Sequence, residues 1–130
     1  MPQAINLTIK DGANVDTLFE LLTPSAGDGG IAEWVHRDGS ISSVFPVISA
    51  SARKTGNKSR QLRVKVRLPS SYTDAVTGQT VVASGAEFNG TFSVPNDFPE
   101  ALKDDWVAFA CNTINHALFK AMIKDAVPAT

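Results

Sequence analysis

The chain has very little cysteine and histidine, the side chains on which much nucleophilic and metal chemistry relies. One cysteine, Cys111, occurs in 130 residues. That excludes an intrachain disulfide and any cysteine-rich metal site, and it fits a reducing compartment. Cys111 stands at a helical position near Phe109, where a small buried apolar group is the simpler expectation than a nucleophile. The two histidines, His36 and His116, are eighty residues apart with no carboxylate pattern beside them, so neither a catalytic nor a metal role is expected. There is no glycine-rich phosphate loop, no HExxH and no GxSxG. Asp104 and Asp105 fall early in an expected helix, as a solvated face rather than an acid–base dyad. No catalytic residue, metal or cofactor is assigned, and nothing here asks for an enzyme.

Long apolar runs are also missing. None approaches the ~18–20 residues of a membrane helix, and MPQAINLTIKDG at the N-terminus has no signal-peptide pattern. A small soluble protein of cytosolic type, with no membrane partner, is the expectation. Repeats, low-complexity tracts and linkers are absent, and at 43% apolar residues the chain fits one compact domain.

The third absence is local. No acid lies between Asp38 and Asp74, while seven of the twelve Lys and Arg fall there: Arg53, Lys54, Lys58, Arg60, Arg63, Lys65 and Arg67. A net charge of −1 therefore hides a basic middle. Within it, Leu62, Val64, Val66 and Leu68 alternate with Gln61, Arg63, Lys65 and Arg67, as on the two sides of a strand. Val47 to Arg53 alternates too, with Ser49, Ser51 and Arg53 on the polar side. Lys54 to Lys58 reads as the turn of a β-hairpin with one apolar and one basic face. A solvated face that resists aggregation is the bland reading; an RNA-binding face is the sharper one.

The remaining elements follow the same signals. Ala4–Lys10 and Val15–Leu22 form an expected hairpin about Asp11-Gly12, although Leu and Glu make helix a competitor for VDTLFELL. Thr23–Gly30 is loop by composition. Ile31–Val35 is a short strand ending at Asp38-Gly39, with Trp34 as packing. Val44–Arg53 and Arg60–Leu68 are the basic hairpin. Pro69–Gly78 reads as a polar loop, Gln79–Ala83 as a short strand, and Gly85–Val94 as another. Asp97 and Glu100 resemble a capping box with Pro99 in the first turn. Leu102, Trp106, Phe109 and Ala110 then recur at helical spacing. An interruption at Asn112–Asn115 separates a second helix through Leu118, Met122 and Ile123, ending before Pro128. Six or seven antiparallel strands followed by two helices make an α+β fold. The helices carry few large side chains, so a second chain is expected to help cover the sheet.

Gly30-Ile-Ala-Glu-Trp34, Lys65-Val-Arg-Leu-Pro69, Phe92-Ser-Val-Pro95 and two terminal helices occur in this order. Their spacing resembles that of the coat proteins of single-stranded RNA bacteriophages, over nearly the whole chain. The resemblance implies a single coat domain over 1–130. It comprises an N-terminal hairpin (1–24), a five-stranded antiparallel sheet (30–95) with a loop at symmetry axes (69–80), and two dimerisation helices (97–126). Two subunits would interlock their helices into a homodimer with a ten-stranded sheet, and dimers would assemble into an icosahedral shell around genomic RNA. In several members the sheet also binds an RNA hairpin at the start of the replicase gene, repressing translation and marking the genome for packaging. A virion location, assembly in the bacterial host cytoplasm and a maturation protein as further partner are also implied.

Carried over residue by residue, Ile31, Ser49, Ser51 and Lys65 would form a pocket for an unpaired adenine. Arg53, Ser59, Gln61 and Arg63 would line the RNA backbone track, and Asn89 matches a strand asparagine of the family. Trp106, Phe109, Leu118 and Met122 would lie in the dimer interface. Where some members stack a tyrosine on a loop base, this chain has Glu87, whose carboxylate repels phosphate, with Phe88 pointing to the other face. The loop carries none of the cysteines that cross-link some shells. A free dimeric RNA-binding regulator is the competing reading; it would stay near twice 13.8 kDa, whereas a coat protein forms large particles.

Overall fold

In the computed structural model, residues 3–37, 45–56 and 58–130 are described. The expected turn at Asp38-Gly39 and the start of the following strand at Val44 lie outside them. The chain forms two compact units, Met1–Val94 and Pro95–Thr130.

The first unit is a six-stranded antiparallel sheet in simple sequential order. Its strands are β1 (Leu7–Lys10), β2 (Asp16–Thr23), β3 (Ile31–Val35), β4 (Val47–Thr55), β5 (Ser59–Thr73) and β6 (Thr80–Pro95). The N-terminal hairpin is not separate from a five-stranded sheet as expected, because β2 pairs with both β1 and β3. VDTLFELL is strand, closed by a turn in which Asp11 Oδ1 accepts from the backbone N–H groups of Ala13 and Val15. Between Leu21 and Thr23 the register with β3 shifts, placing a bulge where the chain leaves β2.

Two expectations about strand length are corrected. Pro69–Gly78 is not a loop: β5 continues to Thr73, and the turn is confined to the residues between β5 and β6. There Asp74 N–H donates to Gln79 O at 2.8 Å, Gly78 N–H to Asp74 O at 2.8 Å, and Val76 N–H to Asp74 Oδ1 at 2.8 Å. The two short strands expected over 79–94 are one strand, β6. Ser70, Ser71 and Thr73 read as loop by composition, but a ladder partner satisfies their backbone regardless of side-chain polarity.

Among the described residues, the buried apolar side chains of this unit are Phe19, Ala32, Val35 and Ile48. Around them the N-terminal segment is tied down by polar bonds: Trp34 Nε1 donates to Ile5 O at 2.7 Å, and Leu21 N–H donates to Asn6 Oδ1 at 2.8 Å. His36 stacks obliquely on Phe19, ring centres 5.8 Å apart, while its Nδ1 donates to Leu18 O at 2.9 Å. That arrangement is a packing role.

The second unit holds α1 (Glu100–Asn115) and α2 (Ala117–Asp125). The expected capping box does not form. Pro99 is itself the N-cap residue, with no side-chain cap bond, so Asp97 stands two residues too early to cap the first-turn amides. The expected interruption at Asn112–Asn115 falls instead at His116, whose extended backbone ends α1 and whose Nδ1 caps α2 by accepting from Leu118 N–H. Neither helix has a buried residue. Cys111, expected to be buried, is exposed.

Candidate nucleic-acid interface

Strand pairing decides which side chains share a face, because residues opposite one another across a ladder point the same way. Ile31 pairs with Ser51, and Ser51 with Arg63; Glu33 pairs with Ser49, and Ser49 with Lys65. Arg53 pairs with Gln61, Thr55 with Ser59, and Val47 with Arg67. One face of β3–β5 therefore carries three cross-strand rows, Ile31–Ser51–Arg63, Glu33–Ser49–Lys65 and Val35–Val47–Arg67, with Arg53–Gln61 continuing toward the hairpin end. Glu87 Oε1 lies 3.3 Å from Lys65 Nζ and 4.0 Å from Arg67 Nε, which puts the Glu87 side of β6 on this face as well. Asn89, two residues on, shares that side.

All nine residues expected to contact RNA thus lie on one sheet face. Ile31, Ser49, Ser51 and Lys65 occupy two adjoining rows across three strands. Ser59 is turned inward at the hairpin end, its Oγ donating to Thr55 O at 2.9 Å. Gln61 Oε1 is shielded from solvent with no hydrogen-bond partner among the described residues, an acceptor left open beside Arg53. Cations on alternate positions of a strand repeat every 6.5–7 Å or so, near the spacing of successive phosphates. Hydroxyl and amide groups between them can read exposed base edges.

The charge is less one-sided than the sequence suggests. Lys54 pairs with Arg60, and both lie on the side of Ala52 and Leu62, the apolar face. Arg60 Nη2 there donates to Asp28 Oδ1, and Lys54 N–H donates to Asp28 Oδ2 at 3.3 Å. The Arg60 hydrogen bond, then that from the Lys54 amide, hold the Asp28 carboxyl below its ordinary range. Gly29 N–H adds a bond to Ala52 O at 2.7 Å, so the 24–30 loop is pinned to the hairpin's far side. Arg60 therefore braces a loop, and the open face keeps Arg53, Arg63, Lys65 and Arg67. Its parity with Leu62 was a usable signal for this; Asp28, inside a glycine-rich loop, offered none. Arg67, Glu33 and Glu87 were the other participants not assigned to the site, and Arg67 and Glu33 share strand parity with Lys65 and Ile31.

The opposite face bears Ala32, Trp34, Ala50, Ala52 and Leu62, and borders a groove of about 660 Å³ closed by residues 3–7 and the 24–30 loop. Phe88 also projects to this side, its ring lying over Gly90, where any Cβ would sit 2.8 Å from the ring.

The Levivirus coat protein family model matches residues 2–130. The chain belongs to that family. As a member of it, the chain is a structural capsid protein and a virion component, not an enzyme. Among solved structures, the virus-like particle of bacteriophage NT-214 has a subunit 21% identical in sequence with a TM-score of 0.87, covering 99% of this chain and all of that one. The particle of Beihai levi-like virus 21 gives 15% identity and a TM-score of 0.85 over 99% of both chains. The bacteriophage GA capsid gives 17% and 0.67, over 93% of this coat protein and 94% of the other. At these identities the likeness is one of fold. No curated protein sequence matches.

Proposed function

We propose that two copies of this coat protein join through α1 and α2 into a homodimer with one continuous antiparallel sheet, which the six strands of each chain set at more than the ten strands expected. Dimers build an icosahedral shell, and the cation-bearing face lines its interior and binds RNA. The placement of Arg53, Arg63, Lys65 and Arg67 on one sheet face, with Ser49, Ser51, Gln61 and Asn89 among them, carries the RNA reading. Phosphates neutralise the cations and release counterions, while the hydroxyl and amide groups take bases splayed from a loop. Ile31, Ser49, Ser51 and Lys65 are the proposed pocket for an unpaired adenine of a hairpin at the replicase start, whose binding would repress translation and select the genome.

The dimer rests on exposed apolar surface. Phe109 is 72% exposed and Leu118 51%, with Val107, Phe119 and Ile123 open beside them. Trp106 meets Phe98 edge-on at 6.3 Å, and both Trp106 and Met122 are half-buried. Apolar surface of this extent marks an interface, and a second copy related by a two-fold axis is the commonest occupant. The family match over 2–130 supports one coat domain, in which the strands between 7 and 95 supply the sheet and 97–126 the dimerisation helices. A maturation protein and assembly in the host cytoplasm complete the reading.

The deciding experiment expresses the chain alone and combines size-exclusion chromatography, electron microscopy and extraction of nuclease-protected RNA. Uniform round particles containing RNA are expected, and Arg63→Glu with Lys65→Glu should sharply lower the RNA content. A dimer that binds RNA but never forms particles would overturn the shell, leaving a regulator. Undiminished packaging in the double variant would overturn the assigned face.

A further inference from the structure

The cations of the open face fall into two classes. Lys65 and Arg67 are held by one carboxylate, Glu87, at 3.3 and 4.0 Å. Arg53 and Arg63 have no carboxylate partner among the described residues. The backbone favours this division. Gly85 leaves room for the Arg67 guanidinium, since a Cβ there would meet Arg67 Nε at 3.1 Å and Nη2 at 3.3 Å, and the side chain lies across the strand toward Glu87. Lys65 is flanked by acid on both sides of its row, with Glu87 on β6 and Glu33 beyond Ser49 on β3. All three ion-paired side chains are 40–50% exposed, so the pairs are open to competition from an incoming anion.

We propose that Glu87 is an internal counterion that competes with RNA phosphate for Lys65 and Arg67, and so sets how strongly this face binds single-stranded RNA of arbitrary sequence. The inference rests on the RNA-binding reading of the face. Arg53 and Arg63, with Gln61 between them, take the first phosphates. Lys65 and Arg67 are released only when the bound strand brings a phosphate close enough to displace the carboxylate. A strand whose path does not reach β6 gains nothing from them. Glu87 thereby lowers affinity for RNA in general and leaves discrimination to the pocket residues Ile31, Ser49 and Ser51.

Glu87→Gln keeps the shape of the side chain and removes its charge. The test measures fluorescence anisotropy of a labelled oligouridylate with the intact coat dimer across a salt series. Glu100→Gln, a carboxylate on α1, serves as the control for net charge. Glu87→Gln is expected to bind roughly three- to tenfold tighter at low salt, with a log–log salt slope steeper by about 0.7 to 1.4, one or two more phosphates neutralised. Glu100→Gln should match the unmodified protein. Lys65→Gln should cost more affinity in the Glu87→Gln background than alone, because only there is the ammonium free beforehand. Affinity unchanged by Glu87→Gln, or an identical cost of Lys65→Gln in both backgrounds, would overturn the counterion while the RNA-binding face stood. No salt-dependent binding by either protein would overturn both.

Discussion

Asp28 shows how one side chain can tie charge to loop placement. Its carboxyl is held below the ordinary value of 3.8 first by the hydrogen bond from Arg60 and then by the Lys54 amide. A carboxylate with a depressed folded-state pKa contributes stability that is complete above its unfolded value and lost as pH falls through the folded one. The thermal midpoint of the unmodified protein should therefore exceed that of Asp28→Asn at neutral pH. The gap should close as the pH drops below 3.8, with the Lys54 amide exchanging faster in the variant throughout. Trp34 offers a second single-residue check. Trp34→Phe keeps most of the ring but loses the bond to Ile5 O, and should cost about 1 kcal/mol in chemical denaturation. That Trp34 packs was legible in the sequence; its hold on a carbonyl 29 residues away was not, because alternation gives the face of a strand and not what folds over it.

At the scale of the element, legibility followed the strength of the pattern. The β4–β5 hairpin and its two faces could be read because apolar and charged side chains alternate through both strands. The register, Ser49 with Lys65 and Ser51 with Arg63, could not, since alternation fixes the face of a residue and not its partner. The far half of β5 was misread because Ser70, Ser71 and Thr73 carry no apolar face; their strand conformation comes from the partner strand and not from their own side chains. The capping box failed for a related reason, since the helix start was placed by residue type at Asp97 when Pro99 holds the N-cap. The β5–β6 turn makes its own demand. Gly78 has φ +69°, and a side chain there meets strain whatever the space around it. Gly78→Ala should lower stability by about 1 kcal/mol or more, seen as a lower denaturation midpoint of the protein with the sheet's circular dichroism unchanged.

For the whole molecule, the two units each leave work for a second copy. The sheet buries only a few apolar side chains among its described residues, and the helices bury none. Phe109 separates an isolated subunit from an assembled one. If the subunit acted alone, an aromatic ring 72% exposed could become a carboxylate at little cost, since exposed substitutions seldom exceed half a kcal/mol or so. If α1 lies in a two-fold interface, each dimer loses two buried rings, at roughly 1.5–3 kcal/mol apiece. It also gains two carboxylates that burial without partners penalises by several kcal/mol more. The sum exceeds what a subunit with so small a core can absorb. Phe109→Asp should therefore give no particles by electron microscopy, and a species near 13.8 kDa or an aggregate by light scattering. An exposed control on the same helix, Asp104→Asn, should assemble normally. Particles formed by Phe109→Asp at the normal yield would move the interface off this face of α1.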